Sequence, residues 1–157
     1  MRARIPPPVF ALTAGAVAWL LNRYVPVVRW VPADWSGWGW CVIALGAGII
    51  ATAMIQFRRA QTTIDPREPS KATAFVRSGI FAVTRNPMYL GLSLVISGWC
   101  WRLAGASPWI VLPVFVAVVT ELQIKVEEQA LRRVFGDAYE AYLKEVPRWV
   151  GRTRRTR

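Results

Sequence analysis

Trp38-Gly39-Trp40-Cys41-Val42-Ile43-Ala44-Leu45-Gly46-Ala47-Gly48-Ile49-Ile50-Ala51-Thr52-Ala53-Met54-Ile55-Gln56-Phe57 contains no charged residue and stops abruptly at Arg58-Arg59. An α-helix needs about 20 apolar residues to cross the hydrocarbon core of a bilayer, so this stretch predicts a transmembrane helix. Three further apolar runs accompany it, at residues 6–21, 87–101 and 108–120. The first follows the basic start Met1-Arg2-Ala3-Arg4 and has the look of a signal peptide. However, Asn22-Arg23-Tyr24-Val25-Pro26 offers no small-residue cleavage site, so the run reads as a span. Pro87 suits the first turn of the third helix, where a missing N–H costs nothing. Pro113 predicts a kink in the fourth. The loop between the third and fourth runs is short, which predicts a helical hairpin.

The expected fold is all-α: a bundle of four transmembrane helices in one domain over residues 1–157, with short cytoplasmic helices at the C-terminus. Four crossings put both termini on the same side as the polar connection 58–87. That side holds 17 of the 20 Lys and Arg residues, leaving Arg23, Arg29 and Arg102 opposite. The positive-inside rule makes the basic side cytoplasmic, with a bacterial inner membrane as the expected location. Trp30, Trp35, Trp38, Trp40, Trp99, Trp101 and Trp109 all map to the outer ends of the spans and predict an aromatic belt there.

Composition excludes several chemistries. The chain has 54% hydrophobic residues, nine tryptophans and a net charge of +11, with no histidine and only two cysteines, Cys41 and Cys100. Without an imidazole, Ser-His-Asp and Cys-His catalysis are ruled out, and a Cys/His zinc site nearly so. Both cysteines fall in apolar runs, where a thiol acts as a small hydrophobe and a disulfide is not expected. Basic residues that flank apolar spans are orientation charge, so nucleic acid is not an expected partner.

Polar groups at the cytoplasmic ends of the spans are the natural place for chemistry. Arg85 and Asn86 precede the third run; Glu121, Glu127 and Glu128 follow the fourth. A hairpin brings these two clusters to one membrane level. The bland alternative is that Arg85 anchors the interface and the glutamates pair locally, Glu121 with Lys125 and Glu128 with Arg132 at i,i+4. Phe135-Gly136 reads as a helix end, Asp137 as the cap of a short helix over residues 138–145, and Pro147 as its stop. Gly46-Ala47-Gly48 reads as a site of close helix packing.

Thr73-Ala74-Phe75-Val76-Arg77-Ser78-Gly79-Ile80-Phe81-Ala82-Val83-Thr84-Arg85-Asn86-Pro87-Met88-Tyr89-Leu90-Gly91 resembles the signature of the isoprenylcysteine carboxyl methyltransferase and phospholipid methyltransferase superfamily. The second block of that resemblance is Glu127-Glu128, Leu131, Phe135-Gly136, Tyr139, Tyr142 and Val146-Pro147-Arg148, so that it covers about residues 71–149.

The resemblance implies a membrane-embedded methyltransferase that uses S-adenosylmethionine, bound at the cytoplasmic mouth, with no metal. Its substrate would be a lipophilic small molecule or lipid, such as an isoprenylcysteine carboxylate, a phospholipid amine or a thiol. Carried over by position, Thr73, Ala74, Phe75 and Val76 would line the adenosine. Phe81, Asn86, Pro87, Met88, Tyr89 and Glu127 would border the cofactor, and Gln123 would face the substrate. Arg85 and Asn86 are the candidate catalytic pair. Tyr139 and Tyr142 would either cover the cofactor or pack the C-terminal helix onto the hairpin.

Two residues depart from the family pattern. Asn86 stands where many relatives have histidine, and it hydrogen-bonds without titrating near neutral pH. Gln123 replaces a basic residue, which weakens the argument for a carboxylate substrate. A non-catalytic membrane scaffold that keeps the family shell is the competing reading.

Overall fold

The computed structural model describes residues 6–59 and 76–151. Five α-helices carry the architecture: α1 (Pro7–Tyr24), α2 (Gly39–Arg59), α3 (Pro87–Leu103), α4 (Val111–Val119) and α5 (Lys125–Glu145). Short 3₁₀ turns at Ala33–Trp38, Gly79–Ala82 and Ser107–Ile110 lead into α2, α3 and α4, and no strand occurs among the described residues. A π-turn at Thr120–Ile124 joins α4 to α5, so that one continuous helix runs from Ser107 to Glu145. That helix and Ala33–Arg59 are both long and apolar enough to cross a membrane, while α1 and α3 have 18 and 17 residues.

The distribution of side-chain size reveals the solvent this fold expects. The only buried residues of α1 are Ala14 and Ala18, and those of α2 are Gly39, Gly46 and Ala53. Leu12, Trp19, Leu45 and Ile55 point outward instead. In α1 and α2, small residues inside and large apolar ones outside reverse the order of a water-soluble bundle. Helices in lipid do this because they associate by close packing rather than by hiding apolar surface. The protein is membrane-associated.

Packing departs from the expected hairpin in one respect. The link between α3 and α4 is short, but α3 packs most extensively against α2. Glycines allow it: a Cβ added to Gly46 would stand 2.6 Å from the carbonyl oxygen of Gly91, and one on Gly98 2.5 Å from that of Gly39. Gly48, by contrast, has open space around it. Of the Gly46-Ala47-Gly48 stretch, Gly46 therefore carries the close approach. The apolar core gathers Tyr89, Ile96, Cys100, Val111, Phe115, Val119 and Ile124 around the two alanines of α1. Cys100 is buried and Cys41 exposed, and both are free thiols.

Pro113 does not mark the irregularity of the long helix. It lies in the first turn of α4, directly after the 3₁₀ turn Ser107–Ile110, and α4 stays helical through it. The distortion is the π-turn seven residues further on, a feature found often at functional sites. The predicted break at Phe135-Gly136 is present, with Gly136 at φ 50° and ψ −127° inside α5. At the far end of the bundle the tryptophans form a cluster. Trp30 meets Trp101 and Trp109 with ring centroids 6.4 and 5.6 Å apart, and the Trp101 indole donates to the Trp35 carbonyl at 2.9 Å.

Candidate functional site

The segment entering α3 and the segment leaving α4 do converge. Tyr89 sits in the first turn of α3 with its ring in the apolar core, and its phenol donates a 2.7 Å hydrogen bond to Oε1 of Glu127 in the first turn of α5. The π-turn stands immediately upstream of Glu127 and buries Gln123 and Ile124. One extra residue per turn changes the azimuth at which α5 leaves the bundle. Gln123 and Glu127 thus stand at this end of the bundle with Pro87, Met88 and Tyr89.

A third piece closes the arrangement: Val146-Pro147-Arg148, expected only as a motif element and a helix stop. After α5 the chain turns back at Pro147 and lies along residues 84–86. The Arg85 amide donates to the Pro147 carbonyl at 3.0 Å, the Asn86 side-chain amide to the Arg148 carbonyl at 2.9 Å, and the Thr84 hydroxyl to the same carbonyl at 3.2 Å. Arg148 then reaches back to Glu128 with two parallel bonds, 3.0 Å from Nε and 2.6 Å from a terminal nitrogen. Such bidentate pairs are strong and directional. A guanidinium nitrogen of Arg85 lies 3.2 Å from the same carboxylate.

Glu128 is therefore not a surface partner of Arg132. It is 6% exposed and clamped between two arginines, while Arg132 pairs with Glu140 at 3.0 Å. The i,i+4 expectation failed because tertiary partners offered Glu128 a drier and better-aligned pair. It held for the exposed Glu121 and Lys125, which meet at 2.6 Å. Burial alone would push the Glu128 carboxyl up. The hydrogen bond from Arg148 and the charges of Arg85 and Arg148 outweigh it and hold the group below its usual range. The same hydrogen bond raises Arg148. Two guanidinium groups thus share the one carboxylate of Glu128.

Phe81 is buried, with its ring edge-on to Phe57 at 4.9 Å, and its carbonyl accepts a 2.7 Å bond from the Tyr142 phenol. Tyr139 and Tyr142 are both buried and pack with Val146, which fastens the C-terminal helix to the segment before α3. Burial pushes the Tyr142 hydroxyl up to about 12, so it stays a donor at neutral pH. Among the other expected site residues, Pro87 and Asn86 are buried and Val76 and Met88 half-buried. Thr73, Ala74 and Phe75 lie outside the described residues. No group of His, Cys, Asp and Glu suited to a metal ion occurs among the described residues.

The family model for phospholipid methyltransferase matches residues 35–138, about two thirds of the chain. An uncharacterized protein of Haemophilus influenzae is 36% identical over 63 residues, which is 40% of this chain and all of that protein. The protein-S-isoprenylcysteine O-methyltransferase of Schizosaccharomyces pombe is 29% identical over 105 residues, 67% of this chain and 44% of that enzyme. The chain thus spans less than half the length of the yeast relative. No solved structure matches.

Proposed function

Because the chain belongs to the phospholipid methyltransferase family, we propose that it is a single-domain, four-span membrane methyltransferase. It would move a methyl group from S-adenosylmethionine to a lipophilic acceptor at the cytoplasmic face. The observation that carries the reading is the bond between Tyr89 and Glu127, which unites the two motif blocks at one end of the bundle. The residues present suit the cofactor. A half-buried carboxylate oriented by a phenol is an acceptor for ribose hydroxyls or an ammonium group. The guanidinium groups of Arg85 and Arg148 suit the α-carboxylate of the cofactor's methionine portion. Half-buried Met88 offers an apolar surface, backed by the buried Phe81 and Pro87.

When bound, S-adenosylmethionine supplies an already activated methyl group, so the protein's share is binding and orientation. Glu127 fixes the cofactor, Tyr89 fixes Glu127, and the strap over residues 146–149 excludes water from the base of the site. Gln123 faces the acceptor as a neutral hydrogen-bonding group. Such a site favours a phospholipid amine or a thiol over an isoprenylcysteine carboxylate, which a basic residue would hold better.

Detergent-purified protein should bind S-adenosylmethionine and its demethylated product by calorimetry, and should transfer labelled methyl groups into a lipid extract. No binding of either compound overturns the reading. The scaffold alternative has one observation in its favour: Arg85 and Asn86 are both engaged in holding the C-terminal strap. Cofactor binding without transfer to phospholipid amines, isoprenylcysteines or lipophilic thiols would select it.

A further inference from the structure

A second polar site lies at the opposite end of the bundle. The last turn of α1, the return segment after it and the α3–α4 link enclose a cleft of about 450 Å³. Its walls include Trp19, Asn22, Arg23, Arg29 and Leu103. Tyr89 and Leu103 stand fourteen residues apart on α3, so the cleft is roughly 21 Å along the helix from the Tyr89–Glu127 site.

The cleft is built rather than incidental. The Ala106 amide donates to the Val28 carbonyl at 2.9 Å and the Trp30 amide to the Ala104 carbonyl at 3.2 Å, which ties the return segment to the α3–α4 link. Arg29 faces Gly105 across an isolated antiparallel bridge. Gly105 has no side chain because a Cβ would collide with the Asn22 side-chain oxygen. The carbonyl of Leu21 at the end of α1 is already taken by the Val25 amide and the Ser107 hydroxyl, which blunts its repulsion of an anion.

Charge identifies the ligand. Among the described residues, Arg23, Arg29 and Arg102 are the basic ones at this end, and the first two line this cleft. No carboxylate lines it. Guanidinium groups bind phosphate oxygens through paired donors. Trp19, Val27, Val28 and Leu103 supply an apolar wall beside them, and the neighbouring tryptophan cluster sets this end at head-group depth. We propose that the cleft is a phosphate site, seating the anionic head group of a membrane lipid with its chains against Trp19 and Leu103.

The test is thermal unfolding of the full chain in a maltoside detergent, which carries no phosphate. Three probes are compared: dioleoylphosphatidylglycerol, dioleoylglycerol and inorganic phosphate. The phospholipid should raise Tm by about 5 °C near saturation, and dioleoylglycerol should not. The rise should vanish in Arg23→Gln/Arg29→Gln and persist in Arg58→Gln/Arg59→Gln at the other end. An equal rise with inorganic phosphate, lost in the same variant, would keep the anion site and assign it to a soluble ligand. Equal responses to phosphatidylglycerol and dioleoylglycerol in the unaltered protein overturn the proposal, whether or not the variants fold. So does a phospholipid response that survives loss of both arginines.

Discussion

The phenol of Tyr89 and the carboxylate of Glu127 meet at 2.7 Å across 38 residues of sequence. A hydrogen bond to a charged group contributes about 1.5–3 kcal/mol, and a tenfold change in affinity is about 1.4 kcal/mol. Glu127→Ala should therefore weaken S-adenosylmethionine binding at least tenfold by calorimetry, and Tyr89→Phe by a smaller factor. Glu121→Ala, which loses only an exposed pair, should leave affinity unchanged. Wild-type affinity in Glu127→Ala would remove that residue from the site.

Glu128 holds two arginines that close the strap. Removing it leaves Arg85 nearly buried without its counter-charge, while Arg148 keeps a third of its side chain exposed. The loss should fall near the low end of values for broken buried pairs, about 3 kcal/mol. Glu128→Ala should lower Tm far more than Arg132→Ala, whose exposed pair contributes under about 1 kcal/mol. Equal effects would mean that the clamp does not stabilise the fold.

The same carboxyl sets a pH signature. Its folded value lies below its usual 4.5, so its stabilisation is complete above that usual value. It is lost as pH falls through the depressed folded value, because protons then bind the unfolded chain first. The Tm difference between wild type and Glu128→Gln should be constant near neutrality and shrink on acidification below the usual carboxylate range. A gap that widens in acid would show that the sign is wrong.

Helix contact between α2 and α3 depends on absent side chains. Gly46→Ala and Gly91→Ala would each press a methyl group onto the opposing carbonyl, and overpacking of this kind costs about 1–3 kcal/mol. Gly48→Ala meets nothing and should be neutral or stabilising by up to about 1 kcal/mol. Thermal unfolding of the three variants separates these outcomes, and a harmful Gly48→Ala would contradict the packing described above.

Orientation is testable by labelling. In a Cys41→Ala/Cys100→Ala background, Asp34→Cys and Arg133→Cys should react with an impermeant maleimide from opposite membrane faces. Arg133→Cys should be the cytoplasmic one. Reaction of both from one side would refute the four-crossing arrangement.

Much of this molecule was legible in the order of its residues. Uninterrupted apolar runs, the break at Gly136 and the i,i+4 pairing of Glu121 with Lys125 are local matters of periodicity, backbone freedom and neighbouring charge. The family followed from two motif blocks whose spacing survives in the chain. The meeting of the segment before α3 with the one after α4 was also expected, but the particular partners within it were not. Glu128 had a plausible partner four residues away, and only the folded chain brought in Arg148 from beyond Pro147 and Arg85 from before α3. Proline composition pointed to Pro113 as the irregular point of the long helix, whereas the π-turn at Thr120–Ile124 has no such marker. The cleft holding Arg23 and Arg29 likewise needs the return segment after α1 to be bonded to the link between α3 and α4. Local pattern reports how a segment behaves alone, and the energies that choose among partners come from burial and charge that no single segment contains.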